Sequence, residues 1–234
     1  MIQLPLAGSS KKIIINPPKI IAVGLNYREH VKESSVFGTN SRDIPSEPVL
    51  FAKTVNVLIG PGDPIIIPAH IKEYKLPDAR VDPECELAII IGKKGRHIPK
   101  EKAFDYVLGY TCFNDVSQRN IQKSDASGWF RGKSFDTFGP IGPVVVSHRD
   151  IGDPQALNVT CRINGVLKQS GNTRDMIFSI PVLIAYISKQ FTLEEGDVIA
   201  TGTPAGVSPI VPGDTVEVEV EKIGILKNPV QAEE

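Results

Sequence analysis

An excess of charge of either sign is missing from this sequence of 234 residues, in which 26 lysines and arginines face 27 aspartates and glutamates. Without such an excess, no long-range field attracts nucleic acid or an anionic membrane surface, and we expect neither as a partner. The composition instead favours small molecules or a second copy of the chain as partners. With 41% hydrophobic residues, the chain can build one large core or two modest ones.

Cysteine is scarce, and long apolar runs are absent. The three cysteines, Cys85, Cys112 and Cys161, form no C-x-x-C pair and no even set, which excludes a disulfide framework and favours reduced side chains in the core. No apolar stretch approaches the roughly 18 residues of a membrane-spanning helix. The first residues also lack the basic start and apolar run of a signal peptide. We therefore expect a cytoplasmic protein.

Short runs of Val and Ile between Gly and Pro residues dominate the chain instead. They predict buried strands at Ile13–Ile15, Ile20–Val23, Ile65–Ile67, Leu87–Ile91, Val144–Val146 and Val198–Ala200. Few helices are predicted; the longest candidates run from Ser179 to Gln190, with Ser179 as N-cap, and from Pro99 to Tyr106. The polar stretch from His30 to Pro48 is typical of a mobile surface loop. The pattern predicts a mainly β protein with a few helices (α+β).

Two carboxylates stand one residue apart in Glu84-Cys85-Glu86, and on a strand this spacing places both on one face. The apolar residues that follow predict a strand that enters the interior, where carboxylates require a cation or a proton. Asp115 closes a second apolar segment and can join them. A set of three carboxylates suits Mg²⁺, Mn²⁺ or Ca²⁺, whereas Zn²⁺ ordinarily recruits His or Cys.

The alternative for Glu84 and Glu86 is an ordinary polar strand end without a metal. A second Glu-x-Glu pattern in the chain is an example of such a strand. In Glu217-Val218-Glu219-Val220-Glu221, valines alternate with glutamates, as in a half-exposed antiparallel strand without a site. Taken alone, Asp115 is equally compatible with a turn residue at a strand end. The spacing alone therefore leaves both readings of Glu84 and Glu86 open.

The sequence resembles the fumarylacetoacetate hydrolase family in its short form, which includes acylpyruvases, oxaloacetate decarboxylases and hydroxy-diene-dioate isomerases. Five stretches match family motifs in the family's order: VGLNYREHVKE (Val23–Glu33), PECELAIIIG (Pro83–Gly92), GYTCFNDVSQRNIQ (Gly109–Gln122), GKSFDTFGPIGP (Gly132–Pro143) and TGTPAGV (Thr201–Val207). The resemblance implies a mixed β-sandwich roll, usually a homodimer. It also implies a small N-terminal region with a lid segment, 1–55, and a catalytic domain, 56–234.

The resemblance assigns Glu84, Glu86 and Asp115 to a metal ion, Mg²⁺ or Mn²⁺ with Ca²⁺ as a further candidate. It places Lys133 in the cavity wall beside that ion, as a catalytic residue. Outside the motif, a lysine in such a Gly-flanked turn is usually a solvated surface residue. Lys133 is therefore predicted to be buried on the strength of the resemblance.

Four further positions resemble substrate contacts of the family. Arg119 and Gln122 match residues that contact substrate, and Lys53 and Thr203 match oxygen-binding positions, with a purely structural role as the alternative for the last two. Two departures flank Arg119, because Gln118 and Asn120 stand where relatives often have Ala and Asp. These departures bear on substrate preference more than on the metal.

His30 and Glu33, three residues apart on a predicted helical turn, resemble the lid dyad that activates water in hydrolytic members. The alternative for His30 is an exposed histidine in a polar segment. With the dyad present, the resemblance implies a metal-dependent hydrolase that cleaves the C3–C4 bond of small 2,4-dioxo acids, of the acylpyruvate or fumarylpyruvate type, through a metal-bound enolate.

Two alternatives remain for the function. Decarboxylation of oxaloacetate or isomerisation of 2-hydroxyhepta-2,4-diene-1,7-dioate uses the same enolate without an attacking water. A β-rich module that binds a small ligand without catalysis is the rival from another class. The sequence does not separate these reactions, because all of them require the same metal and the same oxo-acid substrate class.

Overall fold

The structure is a computed structural model that describes residues 2–36, 44–74, 79–125 and 129–234. In these ranges the strands are β1 (Ile2–Pro5), β2 (Lys12–Ile15), β3 (Ile20–Gly24), β4 (Val49–Lys53), β5 (Leu58–Ile59), β6 (Ile65–Ile67), β7 (Val81–Asp82), β8 (Cys85–Ile91), β9 (Val107–Asn114), β10 (Ser117–Gln118), β11 (Gly139–Ser147), β12 (Asn158–Ile163), β13 (Val166–Asn172), β14 (Val198–Ala200), β15 (Thr215–Val220) and β16 (Gly224–Ala232). The α-helices are α1 (Arg28–Val36), α2 (Arg119–Ser124), α3 (Phe130–Lys133) and α4 (Ile180–Gln190). Short 3-10 helices lie at Val55–Val57, Ala69–Tyr74, Lys100–Tyr106 and Thr173–Asp175.

Two mixed sheets form the body of the fold. The larger has seven strands in the order β4-β3-β14-β8-β9-β11-β5, and the smaller has five in the order β13-β12-β15-β16-β6. Both contain parallel and antiparallel pairs, as in the parallel pair β3–β14 beside the antiparallel pair β14–β8. The predicted class, mainly β with a few helices, is confirmed.

The central strand β8 is buried on both faces, which explains its unbroken apolar sequence. Leu87 and Ile89 belong to the large core between the two sheets, which also includes buried residues of α4. Ala88 and Ile90 face the other way, into a second cluster that the ribbon β1–β2 covers. Glu86 alternates with Leu87 and so lies on the same face as Ala88, away from the smaller sheet.

The predicted strands and both predicted helical segments are present, although the segment before Tyr106 is a 3-10 helix and Ser179 makes no side-chain capping bond. The three cysteines are free and buried, as expected. None of the helices in the described ranges is long and apolar enough to cross a membrane. Strands β3 and β4 pair within the larger sheet, and the division into 1–55 and 56–234 stays a prediction.

The prediction of a surface loop from His30 to Pro48 is wrong in its first part, because α1 extends to Val36. Val31 and His30 are buried to 2% and 7% exposure, so packing against the body of the protein stabilises a helix whose composition is polar. Residues 37–43 of the predicted loop lie outside the described residues.

Candidate metal and substrate site

Three buried carboxylates meet where β8 begins and β9 ends. The antiparallel register pairs Cys85 with Asn114, which brings Glu84, just before β8, beside Asp115, just after β9. The Asp115 backbone N–H donates to the Glu84 carbonyl at 2.9 Å and fixes this approach. Glu84, Glu86 and Asp115, here called the carboxylate trio, each offer an oxygen within 4.8 Å of the others, and none is more than 4% exposed.

Cationic side chains surround the carboxylate trio. Lys133 Nζ lies 2.7 Å from Glu84 Oε2 and 2.7 Å from Asp115 Oδ2. Lys53 Nζ lies 2.6 Å from the other oxygen of Asp115 and also donates to the Val116 carbonyl at 3.3 Å. Lys133 is therefore buried in the site, as the resemblance implied, and Lys53 reaches Asp115 from the end of β4, the edge strand of the larger sheet.

The members of the trio differ in their electrostatics. Burial opposes ionisation of Glu84, but Lys133 and Arg119 outweigh it and hold the pKa of that carboxyl well below its usual value. Glu86 has the opposite shift, because burial and the charges of Asp115 and Glu84 raise its pKa well above the usual value. The site thus holds one strongly ionised carboxylate and one that resists ionisation unless more positive charge arrives.

The two lysines differ as well. Burial opposes the charged form of Lys133, but the negative charges of Asp115 and Glu84 prevail and raise its pKa. For Lys53 burial prevails over the attraction of Asp115, and the pKa is lowered. Lys133 is therefore the more firmly charged of the two.

The segment Thr201–Val207, the TGTPAGV loop, closes the site from the side of β14. The Gly202 N–H donates to Glu86 Oε2 at 2.8 Å, from a backbone with φ of 99° that favours glycine. Thr203 donates its hydroxyl proton to the Cys85 carbonyl at 3.0 Å and accepts a bond from Gln169 at 2.7 Å. Its hydroxyl is thus engaged within the protein, and the substrate contact assigned to Thr203 stays a prediction.

His30 and Glu33 lie on α1 and face the same loop. His30 Nδ1 is 3.1 Å from Glu33 Oε2, and the Gly206 N–H donates to both Glu33 oxygens at 3.0 and 3.2 Å. Gly206 has φ of 105°, and an added Cβ would lie 2.1 Å from the Lys168 carbonyl oxygen, so only glycine fits here. Glu33 therefore connects the helix of the predicted dyad to the TGTPAGV loop.

Arg119, at the start of α2, is the third cationic side chain beside the carboxylate trio. Its Nη1 lies 2.6 Å from Glu84 Oε1 and donates to Gln122 Oε1 at 3.1 Å. Its Nη2 is buried and has no hydrogen-bond partner among the described residues. Both predicted substrate residues, Arg119 and Gln122, are thus beside the carboxylate trio, but their contact with substrate stays a prediction.

The two departures beside Arg119 have structural roles. Gln118 accepts from the Ile121 N–H at 2.6 Å and so caps α2, and it also donates to Asn120 Oδ1 at 3.2 Å. The same Asn120 oxygen accepts from the Arg80 N–H at 2.9 Å. These side chains therefore fix the junction between β10 and α2, where Arg119 lies.

Sequence reasoning missed three contributors to this site: Asp82, Gly202 and Gly206. The glycines act through backbone N–H groups, and their signal was the repeated glycine of the TGTPAGV loop. Asp82 binds Arg119 Nε at 2.7 Å and is 0% exposed. An aspartate before Pro83 has the pattern of a turn residue, so the sequence held no sign of its burial.

The carboxylate trio fits a hard divalent cation. Its donors are all carboxylate oxygens, the ligand type that Mg²⁺ and Mn²⁺ prefer. Burial and the charges of Asp115 and Glu84 raise the pKa of Glu86, and a bound cation would oppose this shift. Glu84, Glu86 and Asp115 would hold the ion. The identity of the ion is not defined by the donors, because carboxylates suit several divalent metals.

The fold and the site together define an enzyme class whose chemistry centres on buried carboxylates and nearby cations. The sequence profile of the fumarylacetoacetate (FAA) hydrolase C-terminal domain matches residues 19–231. The chain belongs to the fumarylacetoacetate hydrolase family.

Three relatives illustrate the range of the family. A mitochondrial oxaloacetate tautomerase of Xenopus laevis is 44% identical over 93% of this chain and 66% of its own length. The solved structure of a 5-carboxymethyl-2-hydroxymuconate delta-isomerase from Mycobacterium smegmatis is 40% identical, with a TM-score of 0.81 over 94% of this chain and 81% of that one. A maleylpyruvate hydrolase from Sphingobium sp. SYK-6, solved with manganese(II) and pyruvate, is 36% identical, with a TM-score of 0.78 over 94% and 73%.

Proposed function

We propose that the chain is a metal-dependent enzyme that acts on small 2-oxo diacids through proton transfer between their keto and enol forms. The observation that carries this proposal is the buried carboxylate trio with Lys53, Lys133 and Arg119 around it. The relatives named for tautomerisation, isomerisation and hydrolysis act on substrates that share a 2-oxo acid or its enol. Enolisation is the chemical step that these reactions have in common.

A divalent cation, Mg²⁺ or Mn²⁺, is the proposed cofactor, held by Glu84, Glu86 and Asp115. When bound, it would supply Lewis-acid stabilisation for negative charge that develops on an oxygen of the substrate. The manganese in the maleylpyruvate hydrolase structure supports an ion of this kind.

The charge of the site supports a substrate with two carboxylates. When all are ionised, the trio and Asp82 carry four negative charges, which match the four cations Lys53, Lys133, Arg119 and Arg80. A divalent cation therefore leaves two positive charges uncompensated. Because the groups are buried, such an imbalance favours a dianionic ligand strongly over a neutral one. Oxaloacetate and unsaturated 2-hydroxy dioates have this charge.

His30 is the proposed proton carrier. If Glu33 accepts the Nδ1 proton, Nε2 is the nitrogen left to take a proton from the substrate carbon or from water. The bonds from the Gly206 N–H hold Glu33, and thereby the imidazole, in a fixed orientation. Lys133 places a firmly charged ammonium beside the region where negative charge develops.

Hydrolysis of the C3–C4 bond of an acylpyruvate is the second candidate. The specific observation in its favour is the His30–Glu33 pair, which matches the arrangement that a general base for water requires. Hydrolase activity, decarboxylation of oxaloacetate and isomerisation of dienedioates stay predictions. A cytoplasmic location, a homodimer and the two-part division of the chain stay predictions.

The test is a substrate panel with Mg²⁺ and with Mn²⁺. It comprises oxaloacetate, followed by loss of its enol absorbance, an unsaturated hydroxy dioate, and acetylpyruvate, followed by release of pyruvate. We expect fast tautomerisation or isomerisation and slower or no cleavage of acetylpyruvate. The proposal is wrong if chelator-treated protein retains full activity, or if no diacid is turned over.

The His30→Ala variant separates the two candidates. We expect roughly a 10²- to 10⁴-fold loss in the proton-transfer reaction, the usual contribution of a positioned acid or base. A loss confined to acetylpyruvate, with tautomerisation of oxaloacetate unchanged, would make His30 a water-activating residue and favour the hydrolase.

A further inference from the structure

Asp82 is a fully buried carboxylate that the proposed reaction does not use directly. It lies in the two-stranded ribbon β7–β10, where it is paired with Ser117 in the antiparallel register. Its two oxygens bind two different arginines, Oδ1 accepting from Arg80 Nε at 2.6 Å and Oδ2 accepting from Arg119 Nε at 2.7 Å. A buried carboxylate with a guanidinium on each oxygen is held in one orientation.

The bond from Asp82 determines how the Arg119 guanidinium is turned. Because the guanidinium is planar and rigid, a bond at Nε fixes the plane of the group and with it the directions of both terminal N–H₂ groups. Nη1 then reaches Glu84 and Gln122, while the buried Nη2 remains unpaired among the described residues. An unpaired buried N–H₂ is costly, so Nη2 calls for an acceptor that the described residues do not supply.

Asp82 also connects this arginine to the opposite side of the site. Arg80, its second partner, donates through Nη2 to the Val207 carbonyl at 3.0 Å, at the end of the TGTPAGV loop. The Arg119 N–H donates to the Arg80 carbonyl at 2.8 Å, so backbone and side chains form one continuous network. The position of Arg119 thus depends on Asp82 on one side and on Glu84 on the other.

We propose that Asp82 is a positioning residue, which fixes the Arg119 guanidinium so that its free Nη2 binds a carboxylate of the substrate. The proposal rests on the proposed function for the identity of the substrate. In this proposal Asp82 does not contact the ligand itself, and it acts on the ligand through Arg119.

The test is a double-mutant cycle with Asp82→Asn and Arg119→Lys. Asparagine keeps the shape of Asp82 and removes its charge, whereas lysine keeps the charge of Arg119 but has no Nε–H for Asp82 to hold. For oxaloacetate we expect Asp82→Asn to raise KM about tenfold, as for a weakened charged hydrogen bond, with kcat changed less than about threefold. In the Arg119→Lys background, Asp82→Asn should add nothing. Effects that multiply independently would overturn the proposal.

Asp197→Asn is the matched control. Asp197 is also 0% exposed and paired with one cation, Lys19, but it lies just before β14 and accepts a bond from the Glu194 N–H. This variant should lower the melting temperature while KM stays unchanged. An equal rise of KM in Asp197→Asn would show that Asp82 has a merely structural role.

Two measurements do not depend on turnover. Calorimetric titration of oxalate into the Mn²⁺-loaded protein should show about tenfold weaker binding in Asp82→Asn, even if no oxo acid is a substrate and the proposed function fails. In the wild-type protein, the Arg119 Nε–H proton, assigned by its loss in Arg119→Lys, should exchange slowly with water. Exchange as fast as that of the exposed Arg149 would overturn the proposal, even if Asp82→Asn does not fold.

Discussion

Two segments of this chain have the same Glu-x-Glu spacing and opposite environments. In Glu84-Cys85-Glu86 both carboxylates are buried at the end of a strand that is apolar on both faces. In β15, Glu217 and Glu219 alternate with buried valines, and their side chains remain 22% and 41% exposed. Each of these two glutamates has a partner on a neighbouring strand, Lys227 or Arg162.

The Glu-x-Glu spacing places two carboxylates on one face of a strand but does not determine what that face meets. The face of β15 meets solvent, where a carboxylate is stable without help. The face of β8 meets the interior, where burial must be offset by lysines, an arginine and the proposed metal. The environment therefore decides whether the pair forms a site.

Loss of the Glu86 charge should affect catalytic activity more than any other change considered. Glu86→Gln should reduce kcat/KM at least about 10³-fold, because a loss of several kcal/mol of metal-assisted stabilisation corresponds to a factor of this size. Glu219→Gln, the matched change in β15, should leave kcat/KM within about twofold. The measurement is the oxaloacetate assay with saturating Mn²⁺. Equal losses in the two variants would remove the functional distinction between the segments.

The next effect concerns metal binding. Adding Mg²⁺ or Mn²⁺ at about 100 times its dissociation constant to chelator-treated protein should raise the melting temperature by roughly 5–10 °C, because a ligand selective for the native state stabilises it by about 2.7 kcal/mol. Glu86→Gln should abolish this shift, and Glu219→Gln should retain it. A shift that persists in Glu86→Gln would place the ion elsewhere.

A smaller effect concerns pH. Burial and the charges of Asp115 and Glu84 raise the pKa of Glu86, so the metal-free native state favours its protonated form. Because the native state binds this proton more tightly than the unfolded state, the contribution of Glu86 to stability falls as pH rises from the unfolded pKa towards the native pKa. Metal binding needs the ionised form of Glu86, so it releases up to about one proton from this carboxyl. The affinity for the metal should therefore rise by up to about tenfold per pH unit below the raised pKa of Glu86.

Calorimetry in two buffers of different ionisation enthalpy measures this release. The Glu219→Gln variant should release the same number of protons as the wild-type protein, since Glu219 lies in β15 of the smaller sheet and pairs with Arg162. Binding without proton uptake by either buffer, at a pH below the raised pKa, would contradict the assignment of Glu86 as the protonated ligand.

Much of the fold could be predicted from local patterns, because the apolar residues of a strand such as β8 are enough to predict that it is buried. The apolar run Leu87–Ile91 predicted a buried strand, and the alternation in β15 predicted a half-exposed one, and both predictions are confirmed. The meeting of the carboxylate trio depended on Asp115 as the end of a neighbouring strand, which the sequence indicated but did not prove.

What local patterns could not predict depends on contacts between distant segments. The polar composition of α1 predicted a loop, but burial of Val31 and the bond from Gly206 to Glu33 stabilise a helix. The burial of Asp82 between Arg80 and Arg119 has no local signal either, because Arg119 follows β10 and reaches Asp82 only when the ribbon β7–β10 has formed. Such groups become visible only when the chain is folded.

The smallest expected effect tests the exposed segment. Glu217 Oε1 lies 2.9 Å from Lys227 Nζ across the pair β15–β16, where Lys227 is 63% exposed. Because water and salt screen an exposed pair, a double-mutant cycle of Glu217→Gln and Lys227→Met should give a coupling of only about 0.2–1 kcal/mol in urea unfolding, and less at high salt. The matched cycle of Glu84→Gln and Lys133→Met in metal-free protein should give several times more, because removing one partner leaves a buried charge unpaired. Equal couplings would mean that burial does not separate the two Glu-x-Glu segments, and the physical basis for assigning the site to only one of them would be lost.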